Sequence, residues 1–216
     1  MRADPTPIFV SFEGIDGAGK STQVERLRAF LEQQGRTVFV AREPGGTELG
    51  ERIRELLLDG EDIVPWAEAY LFAAARAQLV DRVLRPALAR GCDVIVDRYV
   101  DSSLAYQGVA RGLGVTDVYD VNRGAVQDLI PDRTFLLSLP AEDASLRHGA
   151  QAPDRMERES LIFRRNVEDG YRELVEQFPG RIVELDASVG KAEIAALVRE
   201  NVRQLLGSTA ARAACS

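Results

Sequence analysis

The stretch FEGIDGAGKST, residues 12–22, constrains the fold more than any other part of the sequence. Its residues fit the pattern GxxxxGK[ST] of a phosphate-binding loop. The four defining positions are Gly14, Gly19, Lys20 and Ser21. An apolar run, residues 8–13, precedes the loop and a helical apolar pattern follows it, which is the context that this motif requires. We therefore favour a phosphate site over an ordinary glycine-rich turn.

Glycines let consecutive backbone N–H groups converge on phosphate oxygens, and the helix N-terminus adds partial positive charge. We expect this loop to bind ATP through nine consecutive residues: Gly14, Ile15, Asp16, Gly17, Ala18, Gly19, Lys20, Ser21 and Thr22. Ser21 can hold Mg²⁺ through its hydroxyl, and Asp97, which ends the apolar run VIVD, can orient the same ion. Asp97 could equally be a turn residue at the end of a strand.

Five short apolar runs predict the strands of a sheet: residues 8–13, 37–42, 93–98, 133–139 and 181–187. Continuous apolarity is typical of parallel strands that are covered on both faces. Helical patterns lie between these runs: after Lys20 as far as Gly35, then over residues 66–90, 117–129, 158–178 and 191–206. This alternation predicts one α/β domain, residues 1–206, with a P-loop NTPase fold, a five-stranded parallel sheet, helices on both faces and a short lid near 141–160. We expect residues 207–216 to be a disordered tail.

Composition excludes several other classes of protein. Hydrophobic residues make up 45% and charged residues 28%, as in ordinary soluble domains. The net charge of -7 argues against a protein that coats nucleic acid. The two cysteines lie far apart without ligand spacing, so no zinc site is indicated. Neither a signal peptide nor a membrane span is indicated, so we expect a cytoplasmic location.

Several classes of phosphate-loop protein can be distinguished by further motifs. The sequence has neither an NKxD-like guanine reader nor an LSGGQ-like signature, and a motor or helicase would need a longer chain. A small kinase remains, and it needs a cover that excludes water. The segment 146–160 can supply this cover, because it carries four basic side chains: Arg147, His148, Arg155 and Arg158. Taken alone, this segment could also be a solvated charged loop.

Further stretches resemble those of bacterial thymidylate kinases: REPGGT at 42–47, LFAAARAQ at 71–78, DRYVDSSLAYQG at 97–108 and DRMERES at 154–160. They occur in the order found in that family, and their combination is much more specific than the phosphate loop. The resemblance implies reversible transfer of the γ-phosphoryl group of ATP to dTMP, with Mg²⁺ as cofactor, and a homodimer. Residues 66–90 could form the dimer interface or be buried within the monomer.

The resemblance also implies an acceptor site. It predicts dTMP binding by Asp16, Glu43, Pro44, Phe72, Arg76, Arg98, Ser102, Ser103, Tyr106 and Gln107. Phe72 would stack on the thymine ring and Arg76 would bind a base carbonyl, since a spacing of four residues places both on one helix face. By periodicity alone, Phe72 could be a core residue.

The other acceptor residues have implied roles of their own. Arg98 would bind the acceptor phosphate and Asp16 the 3′-hydroxyl. Ser102 and Ser103 would lie near the base, Tyr106 under the sugar, and Gln107 beside the same pocket. The turn at Glu43, Pro44 and Gly45 would form a wall, with Thr47 as the N-cap of a following helix.

The resemblance implies five catalytic residues: Lys20, Asp16, Arg98, Arg147 and Arg155. Some family members carry an arginine in the phosphate loop where this chain has Gly17, and in the bacterial type a lid arginine takes that role. Two alternatives stay open. The chain could be a kinase for another nucleotide or deoxynucleoside, or a regulatory module that only senses or hydrolyses ATP.

Overall fold

A computed structural model describes residues 6–59, 62–146 and 154–214 of the chain. Its strands are β1 (Phe9–Glu13), β2 (Val38–Arg42), β3 (Asp93–Asp97), β4 (Arg133–Ser138) and β5 (Ile182–Asp186). Its helices are α1 (Lys20–Gln33), α2 (Glu48–Asp59), α3 (Pro65–Leu79), α4 (Arg85–Ala89), α5 (Val100–Ser103), α6 (Val115–Val126), α7 (Ala141–Leu146), α8 (Leu161–Gln177) and α9 (Lys191–Ala214). Two π-helical segments extend α3 and α5: Val80–Leu84 and Leu104–Ala110.

The five strands form one sheet in the order β2-β3-β1-β4-β5, and all neighbouring strands are parallel. Each strand corresponds to one of the five apolar runs. The predicted fold class, a five-stranded parallel α/β sheet of the P-loop NTPase type, is confirmed. Because all strands run in one direction, their carboxyl ends meet at a single edge, where ligands bind in open α/β sheets.

Alternate residues of the central strands pack into two separate apolar cores. Ile95 belongs to the core that contains α1, α8 and α9, whereas Val94 and Val96 belong to the core beneath α3 and α4. Val10 and Phe9 of β1 are divided between the cores in the same way. Helices therefore cover both faces of the sheet, which is why its strands are apolar without alternation.

Several helix bounds differ from the sequence prediction. The predicted helix 66–90 is α3 and α4, joined by the π-helical turn between them. Helix α9 continues to Ala214, past the predicted end at 206 and through most of the predicted tail, whose last two residues lie outside the described ranges. The amphipathic helix α2 was predicted only through its N-cap, and Gly50 N–H does donate to the Thr47 hydroxyl over 2.9 Å. Short polar α5 has no helical periodicity, so no pattern predicted it.

The carboxyl ends of β1, β2 and β3 bring three loops together. Phe12 lies opposite Asp97, which in turn lies opposite Arg42. The phosphate loop, the REPGGT turn and the DRY segment therefore leave the sheet side by side. Across the described ranges, no helix is both long and apolar enough to cross a membrane.

Candidate active site

The phosphate loop wraps around the side chain of Lys20, at the first residue of α1. Lys20 Nζ donates to the carbonyl oxygens of Gly14 and Ile15 at 3.0 and 3.1 Å, and lies 3.5 Å from Asp16 Oδ1. Burial and the nearby Arg98 guanidinium lower the pKa of Lys20, although Asp16 opposes this shift. The predicted ATP-binding residues thus form one loop, closed around the lysine that would reach the outer phosphates.

Gly17 lies where the phosphate loop touches α7, the helix that begins the predicted lid. Its backbone has φ +85°, and a Cβ atom there would lie 2.8 Å from the Ala144 carbonyl oxygen. A side chain at this position therefore conflicts both with the backbone conformation and with the close approach of α7. The loop therefore has no room for an arginine at this position, because α7 packs directly on it.

The two predicted magnesium ligands lie together. Ser21 Oγ donates to Asp97 Oδ2 over 3.0 Å, although the residues are far apart in sequence. The described residues contain no cluster of three or more histidine, cysteine or acidic side chains that could enclose a metal. This arrangement fits Mg²⁺, which usually keeps several waters and binds through one or two protein oxygens together with substrate phosphates.

Arg98 joins the phosphate loop to the neighbouring pocket. Its guanidinium donates to Asp16 Oδ1 over 2.7 Å, and its own N–H donates to the Phe12 carbonyl over 2.9 Å. The backbone has φ +68°, which is strained for a residue with a side chain. Burial alone would raise the pKa of Asp16, but Arg98 and Lys20 lower it well below its ordinary value. Asp16 is therefore ionised and holds both cations.

An open pocket lies beside this ion pair, with about 500 Å³ of empty space when the part that is open to solvent is included. Nine of the ten residues predicted to bind the acceptor line it, and Arg76 is the exception. Phe72 lines this pocket and also packs against the small apolar cluster of Ile53, Leu57 and Ala75, so the binding and core interpretations both describe its position. Tyr106 lies under Arg98, whose guanidinium carbon is 5.2 Å from the centre of the tyrosine ring. Gly45 does not line this pocket, and its Cα lies close to the Glu51 carboxylate.

Arg76 has a different environment from the one predicted. It is 1% exposed, and both Nε and Nη2 bind Glu43 Oε2 at 2.8 and 2.6 Å. Its other guanidinium bonds go to Ser103 Oγ, Asn122 Oδ1 and Tyr99 O. Four hydrogen bonds therefore hold the guanidinium, and Nη2 also forms an ion pair with Glu43. Because Arg76 is buried and bonded within the protein, it supports the pocket wall in this structure rather than lining the pocket.

Glu13, the last residue of β1, is a buried carboxylate that the sequence reasoning missed. It accepts hydrogen bonds from Tyr99 N–H, Ser102 Oγ and Tyr171 Oη. Burial and the nearby Asp101 carboxylate raise the pKa of Glu13 to about 7. The only sequence signal is an acidic residue at the end of an otherwise apolar run.

Arg155 does not contact the phosphate loop in this structure. Its guanidinium donates to Glu68 Oε2 at 2.6 Å and to the Leu57 carbonyl at 2.7 Å, and it is buried. Glu68 is also bound by Gln107 and Arg111, so Arg155 belongs to a buried ionic cluster. Arg155 therefore lies away from the phosphate loop in this structure, and its predicted catalytic role would require this buried ion pair to break. The other predicted lid arginine, Arg147, and its neighbour His148 lie outside the described residues.

Two further arginines near the pockets were missed. Arg54 on α2 lines the acceptor pocket and donates to the Pro44 carbonyl over 2.9 Å. Arg164 on α8 lines a smaller pocket beside Asp16 and donates to the Glu157 carbonyl. Helical spacing could have found Arg54, because Ile53 and Leu57 mark the buried face of α2. No local pattern points to Arg164.

The phosphate loop, the carboxylate at the end of β3 and the adjacent open pocket are the features of a small kinase of the P-loop NTPase fold. Comparison with known proteins narrows this class. A family model described as thymidylate kinase matches residues 12–198, and the chain belongs to the thymidylate kinase family.

Individual relatives agree with this assignment. The chain is 45% identical to a thymidylate kinase from Chlorobaculum tepidum, over 94% of this chain and 100% of that protein. It is 47% identical to one from Thermoanaerobacter sp. (strain X514), over 82% of this chain and 88% of that protein. The crystal structure of thymidylate kinase from Ehrlichia chaffeensis superposes with a TM-score of 0.76 at 29% identity, covering 92% of this chain and 99% of that one.

The contact between Gly17 and α7 gives a test of the closed loop. Gly17→Ala should lower the free energy of unfolding by about 1–2 kcal/mol through backbone strain. The free energy of unfolding should fall by roughly a further 1–3 kcal/mol, because the new methyl group meets the Ala144 carbonyl. Gly35→Ala is the matched control, since Gly35 has φ +75° and open space around it. If urea denaturation shows that both variants lose the same free energy of unfolding, the close contact between Gly17 and α7 is wrong.

Proposed function

We propose that this chain transfers the γ-phosphoryl group of ATP to the 5′-phosphate of dTMP, reversibly, giving dTDP and ADP in the synthesis of dTTP. The observation that carries this proposal is the ion pair between Asp16 and Arg98, at 2.7 Å. It joins a loop suited to the donor's phosphates to a pocket lined by nine of the ten residues that the resemblance to bacterial thymidylate kinases implies for the acceptor. Two phosphorylated substrates can thus be held with their reacting ends together.

The donor side supplies positive charge where the outer phosphates of ATP would lie. The Lys20 ammonium, held by two loop carbonyls, neutralises charge on the phosphoryl group during transfer. Ser21 and Asp97 would hold Mg²⁺, which supplies further charge neutralisation when bound. Asp16 keeps Lys20 and Arg98 at fixed positions on either side of the transfer path.

The acceptor side positions dTMP. Arg98 binds its phosphate, and Phe72 and Tyr106 line the pocket for base and sugar, with Ser102, Ser103 and Gln107 as polar wall residues. Asp16 is also suited to bind the 3′-hydroxyl of dTMP, because its carboxylate can accept a hydrogen bond from that group. The acceptor phosphate is largely ionised at neutral pH, so no strong general base is needed and catalysis is positioning together with charge neutralisation.

An arginine of the lid would supply further positive charge to the phosphoryl group that is transferred. Arg147 is our candidate, because Arg155 is engaged with Glu68 and would have to leave a buried ion pair to reach the transferred group. Closure of the lid over the site also excludes water, which otherwise competes as acceptor.

We further propose that the chain is a cytoplasmic homodimer that pairs through the outer face of α3. The inner face of this helix is buried, but Trp66 and Tyr70 are 39% and 58% exposed and their rings are 5.9 Å apart. Adjacent exposed aromatic side chains are typical of surfaces that bind a partner. A cytoplasmic location follows from the proposed substrates, since ATP is available there.

Lys20→Ala should reduce turnover of ATP and dTMP by roughly 100-fold or more, because the transferred charge loses a fixed cation. Arg28→Ala, which removes an exposed cation from the same helix, is the matched control and should keep normal turnover. Circular dichroism would verify that both variants are folded. Near-normal turnover of folded Lys20→Ala would contradict the assigned role.

Phe72→Ala should weaken dTMP binding by about 1–3 kcal/mol, because a base loses its stacking surface. ATP binding should be unaffected, since Phe72 lines only the acceptor pocket. Calorimetric titration with each nucleotide separates the two effects, and Phe72→Tyr should retain dTMP affinity. A parallel loss of ATP affinity would indicate a structural role instead.

Sedimentation equilibrium tests the dimer. The wild-type protein should behave as twice its 23.7 kDa chain mass, and Tyr70→Arg should shift it toward the monomer because a charge is introduced into an apolar contact. Tyr119→Arg, at an exposed tyrosine of α6, is the comparison variant. A wild-type monomer, or an unchanged Tyr70→Arg dimer, would rule out this interface.

A further inference from the structure

Glu13 is a fully buried carboxylate that lies next to the site but has no role in the mechanism above. It is 1% exposed and immediately precedes the phosphate loop. A buried carboxylate is costly unless hydrogen bonds satisfy its oxygens. The groups that satisfy Glu13 therefore indicate what it holds in place.

Three donors surround Glu13, and all come from elements that frame Arg98. Tyr99 N–H donates to Oε1 over 2.7 Å, while the Ser102 and Tyr171 hydroxyls lie 2.5 and 3.0 Å from Oε2. The Asp101 carboxylate also lies near Glu13, and Arg181 neutralises it at 2.5 Å. The charges of Arg98, Lys20 and Arg181 interact favourably with Glu13. Glu13 thus links β1, α5 and α8 at one point.

The same two hydroxyls are also the neighbours of the Arg98 guanidinium. Arg98 Nη1 lies 3.2 Å from Ser102 Oγ and 3.4 Å from Tyr171 Oη. A hydroxyl carries one proton and two lone pairs. The two hydroxyls also lie 3.0 Å from each other, where either could donate. With both protons directed at Glu13, their lone pairs are left for Arg98, and this is the arrangement that the carboxylate favours.

Glu13 also fixes the backbone beside Arg98. Tyr99 directly follows Arg98, and the bond from Tyr99 N–H holds the peptide between them. Arg98 has φ +68°, a conformation that persists only when surrounding contacts enforce it. Backbone and guanidinium of Arg98 are therefore both held through Glu13.

We propose that Glu13 is a positioning residue that orients Arg98 toward the phosphate of the acceptor. This inference rests on the proposed function, in which Arg98 binds that phosphate. It implies that loss of the Glu13 carboxylate weakens ligands that carry a 5′-phosphate and leaves the unphosphorylated nucleoside unaffected. A residue that merely supports the fold would weaken both ligands together.

The test measures dissociation constants of dTMP and thymidine by calorimetry for Glu13→Gln, which keeps the size of the side chain and replaces one acceptor oxygen with an N–H donor. We expect dTMP to bind about 10-fold more weakly and thymidine to bind within about twofold of wild type. Asp93→Asn is the matched control, because Asp93 is a buried carboxylate at the opposite end of β3 that binds Arg36 and Ile8 N–H. Its dTMP and thymidine affinities should both be unchanged.

Two further variants separate the possible failures. Arg98→Ala should lose dTMP affinity selectively, and if it does not, the proposed role of Arg98 itself is wrong. If Arg98→Ala is selective but Glu13→Gln weakens the binding of both ligands equally, or of neither, the inference about Glu13 is overturned.

If Glu13→Gln does not fold, Tyr171→Phe provides the test, because it removes only one of the two oriented hydroxyls. We expect this variant to bind dTMP about threefold more weakly and thymidine with unchanged affinity. Equal effects on the two affinities would overturn the inference.

Discussion

The parallel pairing of β1 with β3 is the contact on which both halves of the site depend. It places Phe12 opposite Asp97, and the Arg98 N–H continues the pairing by binding the Phe12 carbonyl over 2.9 Å. The phosphate loop and the DRY segment therefore leave the sheet from adjacent points. For this reason Ser21 meets Asp97 and Asp16 meets Arg98, although each pair is distant in sequence.

Buried charges near this edge are arranged in pairs that hold one another. Arg98 is paired with Asp16 of the phosphate loop, and Arg76 is paired with Glu43 in the wall of the acceptor pocket. Each guanidinium would be costly to bury alone, so its position is set before any substrate arrives. Such preorganisation suits phosphoryl transfer, in which the protein contributes position and charge rather than covalent chemistry.

Most of the fold and much of the site could be predicted from short stretches of the sequence. Continuous apolar runs predicted the five strands, and the phosphate-binding groups of FEGIDGAGKST are close together in the sequence. Long charged side chains were less predictable, because their partners come from distant elements. Arg76 and Arg155 were both assigned to ligands, yet Glu43 and Glu68 hold them in the protein. Glu13 was missed because its three donors converge only after β1, α5 and α8 have packed together.

We infer that this site couples ATP to a second, phosphorylated substrate rather than to water. The decisive measurement is the rate of ADP release from ATP and Mg²⁺, measured alone, with dTMP and with thymidine. We predict rapid release with dTMP and little release with thymidine or with no acceptor. Release at the same rate in all three mixtures would mean that the chain hydrolyses ATP without using an acceptor, and this result would rule out the proposed phosphoryl transfer.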